Sequence, residues 1–212
     1  MTIAEIHKRL PINRGLQEHM LRVGALAKVI TDFHTEVDRE LIMTAALLHD
    51  VGNIVKITFD TAPELLEPEG VEHWKERKAE TVAKYGTDDH IATSSMLREV
   101  GINETVIAIT EAADIEFLAD KKNVVTPEKL LMHYCDMRVG LHGVISLKER
   151  IADIHNRYVP QRLTAESVDL CLQNLSQYEA ELFSETELAP ADITDELIAP
   201  IMSELLQFEV TL

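Results

Sequence analysis

Apolar residues return every three or four positions along almost the whole chain, and that rhythm leaves little to build with except helices. In LQEHMLRVGALAKVITDF they fall at Leu16, Met20, Val23, Ala27, Ile30 and Phe33, one face of a helical repeat. Residues that start and stop helices punctuate the rhythm. Asp38 opens VDRELIMTAALLHD, residues 88–100 read as a helix stopped by Gly101, and Asn103 opens ETVIAITEAADIEF. Thr126-Pro127-Glu128 is a strong start, with periodicity carrying from Leu130 to about Ile151. Thr164 opens a helix to about Phe183, and Thr194 opens a last segment that Pro200 interrupts or restarts. Strand signals are nearly absent, because Val124-Val125-Thr126 is too short to count. The expected fold is all-α.

Within that frame, residues 57–87 stand out. TFDTAPELLEPEGVEHW carries two prolines and a glycine before a short amphipathic piece, HWKERKAETVAKYG. A long, loosely patterned stretch of this kind reads as a lid-like insertion. The expected organisation is a main helical domain over 1–160, with 57–87 as its lid, and a C-terminal helical extension over 161–212. Trp74, the lone tryptophan, is expected to anchor the lid.

Charge narrows the partners. The chain has 20 basic against 37 acidic residues, a formal net charge of −17. Such a field repels nucleic acid polymers and anionic membrane surfaces, and it favours cations. No nucleic acid and no membrane is therefore expected as a partner; a homo-oligomer stays open. Cys135 and Cys171 both lie inside apolar helical patterns, the usage of a reducing compartment. MTIAEIHKRL lacks the apolar run of a signal peptide, and nothing approaches the ~20 apolar residues of a membrane span, so a cytoplasmic location is expected.

Four residues break the apolar pattern in ways that cost energy. His19 sits on the apolar face of its helix, His49 and Asp50 close the run AALLHD, and Asp136 lies mid-helix in LMHYCDMRVGLHGV with Gly140 and Gly143 on its face. Taken singly, each has an ordinary reading: a satisfied core histidine, a helix-end salt bridge, an aspartate paired with arginine. Taken together, two imidazoles and two carboxylates from three helices make an N2O2 set suited to a divalent transition metal. A cation also answers the burial problem, since it neutralises Asp50 and Asp136 where water cannot. Adjacent residues point about 100° apart on a helix. His49 and Asp50 therefore reach one ion only near a helix end, where Gly52 stands.

The pattern resembles the HD-domain metal-dependent phosphohydrolases. Their histidine, His-Asp pair and distant aspartate appear as His19, LLHDVG at 47–52 and Asp136 in HYCDMRVG, over roughly residues 12–160. The resemblance implies one divalent ion per chain (Mn, Co, Ni, Fe, Mg or Zn) held by His19, His49, Asp50 and Asp136. It also implies hydrolysis of a small phosphoester, a nucleotide among the options, with Asp50 or Asp136 taking the proton of the attacking water. Where many members have lysine after His-Asp-Ile-Gly, Asn53 stands here, with Lys56 three further on. Members with two metals add two histidines; His90 matches the first, and Glu111 or Asp114 stands where the second would fall.

A phosphorylated substrate needs local positive charge. The candidates are Arg14, Lys56, Lys75, Arg77 and Lys78, with His90 at the cleft. HWKERKAETVAKYG read plainly is a solvated helix face. Two other functions fit the same fold: a non-catalytic regulatory domain that binds metal or nucleotide, and a di-iron oxygenase.

Overall fold

Helix starts in this chain are made by side chains, and the computed structural model follows them closely. It describes residues 1–59, 62–118, 125–159 and 163–210. In order the helices are α1 (Ile3–Arg9), α2 (Arg14–Thr31), α3 (Arg39–Leu48), α4 (Val71–Tyr85), α5 (Asp89–Glu99), α6 (Glu104–Thr110), α7 (Pro127–Met137), α8 (Leu147–Tyr158), α9 (Ala165–Leu182) and α10 (Asp195–Leu205). Asp38, Asp88, Asn103, Thr126, Thr164 and Thr194 each cap a helix by accepting the backbone N–H three residues on. Among the described residues the only β pairing is two isolated bridges, Thr2 with Glu209 and Val139 with Val144. The fold is all-α.

Burial decides which helices form the centre. From Ile42 to Leu48, every residue of α3 is buried, as a helix enclosed on all sides requires. Around it pack α2, α6 and α7, and α2 and α7 also touch each other. Gly24 lets α2 and α3 approach closely, because a Cβ there would lie 2.6 Å from Leu47 Cδ2. α10 also packs against α2, while α8 and α9 pack together. One hydrophobic cluster runs from Ile3 through α2, α3 and α7 to Ile198 and Val210. The two chain ends are tied as well: Ile3 N–H donates to the Phe208 carbonyl and Val210 N–H to that of Met1, each at 3.0 Å. The domain boundary expected at 160/161 falls outside the described residues.

Four local expectations need correction. First, periodicity from Leu130 to Ile151 is not one helix: α7 ends at Met137 and α8 begins at Leu147. Between them the chain turns, with Gly140 N–H donating to the Gly143 carbonyl (2.8 Å) and Ile145 N–H to that of Arg138 (2.9 Å). Gly140 and Gly143 thus lie in this turn rather than on the face of Asp136. Second, the segment opened by Asn103 is helical only to Thr110, followed by a 3-10 turn at Glu111–Ala113. Third, Pro200 neither stops nor restarts its helix, since α10 runs through it. Fourth, α1 was not foreseen, although a reciprocal capping box between Thr2 and Glu5 opens it.

Arg138 fastens the C-terminal part to the centre. Its guanidinium donates to the Ile145 carbonyl (2.7 Å), Tyr134 Oη (2.7 Å), Glu179 Oε2 (3.2 Å) and the Pro190 carbonyl (3.0 Å). It therefore joins α7, the following turn, α9 and the approach to α10. The stretch 57–87 holds a 3-10 turn at Pro63–Leu66 followed by α4. Trp74 is buried and donates its indole N–H to the Leu66 carbonyl at 3.2 Å, so it anchors this segment internally.

Candidate metal centre

Three helices end or pass at one point. His19 comes from the second turn of α2, His49 is the C-cap of α3, and Asp136 is the penultimate residue of α7. His19 Nε2 lies 3.3 Å from His49 Nε2 and 3.0 Å from Asp136 Oδ1, and His49 Nε2 lies 3.3 Å from the same oxygen. Asp50 stands just outside this triangle: one oxygen is 3.6 Å from His19 Nε2 and the other 3.6 Å from His49 Nε2. The helix end at His49 is what allows both members of the pair to face inward.

The protons on His49 define what the triangle needs. Its Nδ1–H donates to the Ala46 carbonyl at 2.9 Å, one turn back in α3. That fixes the tautomer and leaves the Nε2 lone pair aimed at His19 Nε2 and Asp136 Oδ1. Three electron-rich atoms so close together require a cation among them. A proton on His49 is one such cation. Burial alone would lower the pKa of His49, but the charge of Asp50, then the hydrogen bond and charge of Asp136, raise it to about 9. For Asp136, burial works toward a higher pKa, and the hydrogen bonds and charges of His19 and His49 hold it well below the carboxylate range.

A divalent metal fits the same position. Ligands about 2.1 Å from one ion, at tetrahedral or octahedral angles, stand roughly 3.0–3.4 Å from each other. The His19, His49 and Asp136 atoms are separated by 3.0 to 3.3 Å. Among the described residues, these three are the histidine, cysteine or acidic side chains grouped closely enough to hold an ion. The site is closed on one side and open on the other. The His49 side chain is fully buried and that of Asp136 is 9% exposed, whereas His19 and Asp50 are 17% and 18% exposed. Solvent therefore meets the site along the His19–Asp50 edge.

The turn that follows the His-Asp pair and the helix packed on it carry further candidates. The 3-10 turn Asn53–Val55 following the pair packs against α5. Thr93 Oγ1 accepts the Gly52 N–H at 3.1 Å. Lys56 is ion-paired with Asp89, whose carboxyl pKa is held down by that lysine against the effect of burial. His90 pairs with Asp114 at 3.5 Å; this hydrogen bond raises its pKa, and burial opposes it. Glu111 interacts electrostatically with Arg98. Asp89 was not foreseen as Lys56's partner; the doublet Asp88-Asp89 before His90 was the available signal.

The basic residues of 57–87 are spread over different partners. Lys75 pairs with Glu72 and Arg77 with Glu80, both one turn away on the surface of α4, while Lys78 donates to the Ile57 carbonyl at 2.8 Å. Arg14 pairs with Glu18. Arg14 and Arg77 border a groove against the end of α1, and none of the four proposed ligand residues lines it.

Comparison with known proteins gives one match. The HD domain family profile aligns with residues 16–136, which begin in α2 and end on the aspartate of the triangle. No curated protein matches the chain, and no solved structure does.

Proposed function

The chain belongs to the HD domain family, and from that premise we propose that it is a metal-dependent phosphohydrolase acting on a small phosphoester, with nucleotides among the candidates. The observation that carries the proposal is the spacing of His19 Nε2, His49 Nε2 and Asp136 Oδ1, together with one solvent-facing edge. A purely structural site encloses its ion in a full protein shell, whereas a catalytic site keeps a position open.

His19, His49 and Asp136 would hold the ion, and Asp50 would complete the set from the open edge. The ion supplies two things when bound: a Lewis acid for a phosphoryl oxygen, and a pKa for its water lowered from 15.7 toward about 7. Everything else is done by the chain. Ala46 keeps the proton on His49 Nδ1, so Nε2 faces the site as a lone pair. Asp136, buried and held as a carboxylate, supplies negative charge without competing for a proton. Asp50 is the more exposed carboxylate, so one of its oxygens can receive the proton of the attacking water. Lys56, paired with Asp89 and six residues after Asp50, is the nearest basic residue along the chain and the candidate for contacting the phosphate.

The test is a screen of nucleotides, sugar phosphates and an aryl phosphate after loading with Mn, Co, Ni, Mg or Zn. Hydrolysis of at least one phosphomonoester, abolished by chelation, is the expected result. Tight nucleotide binding with no turnover by the metal-loaded chain would replace catalysis with a regulatory role.

A further inference from the structure

Two of the ligand residues, His19 on α2 and Asp136 on α7, are linked through a side chain from the far end of the sequence. Asp195 is the first residue of α10. One of its carboxylate oxygens accepts the Arg22 Nε–H at 3.3 Å, and the other accepts the Val144 N–H at 3.0 Å. Arg22 is three residues after His19, roughly one turn further along α2. Val144 pairs with Val139 as an isolated bridge, and the Val139 N–H donates to the Asp136 carbonyl at 3.0 Å. A connected run of paired groups therefore leads from the helix of His19, through Asp195, to the backbone of Asp136. The family profile ends at residue 136, so Asp195 and Val144 belong to a part of the chain that it does not describe.

An acidic residue at the start of a helix has an ordinary explanation, since it complements the helix dipole. That explanation does not reach Gly143. A Cβ there would overlap Asp195 Oδ2 and lie 3.0 Å from its Cγ, so the turn admits this carboxylate only because residue 143 is glycine. Stability alone does not account for the arrangement either. The Asp195 side chain is 47% exposed, and ion pairs so exposed contribute little. Its contacts are directional instead: each oxygen is committed to a different element, one on α2 and one on the turn after α7. Arg138 steadies the same turn from the other side, through the Ile145 carbonyl, Glu179 and the Pro190 carbonyl.

We propose that Asp195 is a positioning residue of the metal centre: by bridging Arg22 and Val144 it holds His19 and Asp136 at the separation one ion requires. That separation is 3.0 Å between His19 Nε2 and Asp136 Oδ1. The inference rests on the metal reading of the site. It adds that the C-terminal segment, and not the matched region alone, completes the centre. Residues that orient ligands without touching the ion set its affinity strongly, because the ligand atoms must keep their geometry as the ion arrives.

The experiment compares the full parent chain with Asp195→Ala, Asp195→Asn, Arg22→Gln and the Asp195→Ala/Arg22→Gln double variant. Glu99→Ala is the control, since it breaks another exposed ion pair, Lys84–Glu99, between α4 and α5. Mn affinity is measured by chelator competition, and the visible spectrum of the Co-loaded chain reports ligand geometry. Asp195→Ala should bind Mn about tenfold more weakly or worse and alter the Co spectrum. The double variant should match Asp195→Ala, because both changes break one link. Asp195→Asn keeps an acceptor for Val144 and should recover part of the loss; with Arg22→Gln it carries the comparison if Asp195→Ala fails to fold. Parent-like affinity and an unchanged Co spectrum overturn the proposal even if denaturant melts shift, since Asp195 would then add only stability. Equal weakening by Glu99→Ala overturns it too. The ring-nitrogen NMR signals of His19 and His49 in EDTA need no metal, and they should move in Asp195→Ala but not in Glu99→Ala. If the parent binds no ion, the metal reading fails by itself, and unmoved ring signals would then overturn the positioning role separately.

Discussion

If a proton occupies the metal position in the empty chain, metal affinity must depend on pH well above the usual histidine range. His49 has a pKa raised to about 9, although burial alone would lower it, because Asp50 and Asp136 face its ring. Binding an ion expels that proton, so below pH 9 the apparent affinity should fall tenfold for each pH unit. Between pH 8 and pH 6 the loss is about a hundredfold, or roughly 2.7 kcal/mol. An ordinary imidazole, with a pKa of ~6.5, would give a flat profile above about pH 7.5. The discriminating window is therefore pH 7.5 to 9. The metal-free fold should behave in the opposite sense. With the folded pKa above the unfolded one, the proton's stabilisation is complete below ~6.5 and is lost as pH rises through about 9. That gap is worth roughly 3 kcal/mol. Competition against a chelator of known pH dependence, with Mn as the probe, measures the first effect; denaturant melts in EDTA measure the second. Constant affinity from pH 7.5 to 9 would refute the reasoning, since it would mean that no proton holds the empty site together.

Two substitutions away from the ligands should report on how the site is supported. Gly52→Ala places a Cβ 2.4 Å from Thr93 N and 2.8 Å from the Asp89 carbonyl oxygen. Both are backbone atoms, so α5 must move; a loss of roughly 1–3 kcal/mol in denaturant melts and weaker metal binding are expected. Wild-type stability and affinity would show that α5 does not brace the His-Asp turn. Arg138→Met leaves Tyr134, Glu179 and two carbonyls without their buried donor. It should cost roughly 3–5 kcal/mol by chemical denaturation, and a change under 1 kcal/mol would deny the guanidinium its fastening role.

What could be read from the sequence follows from which forces are local. Helix starts were legible because Asp38, Asn103, Thr126 and Thr164 act on N–H groups three residues away. The metal residues were legible because His19, His49 and Asp136 are polar groups placed where the apolar rhythm puts core. The break between α7 and α8 was not. It depends on Asp195, which accepts the Val144 N–H at 3.0 Å from 51 residues away and lies where a Cβ on Gly143 would be. Local periodicity carries no trace of that contact. The Lys56–Asp89 pair is tertiary in the same way.

The central claim is that His19, His49 and Asp136, with Asp50 at the open edge, hold one ion. Metal content per chain, measured by mass spectrometry after loading with Mn and exhaustive desalting, tests it most directly. About one ion per chain is expected for the parent, and none for His49→Ala or Asp136→Ala. Equal metal in parent and variants would contradict it.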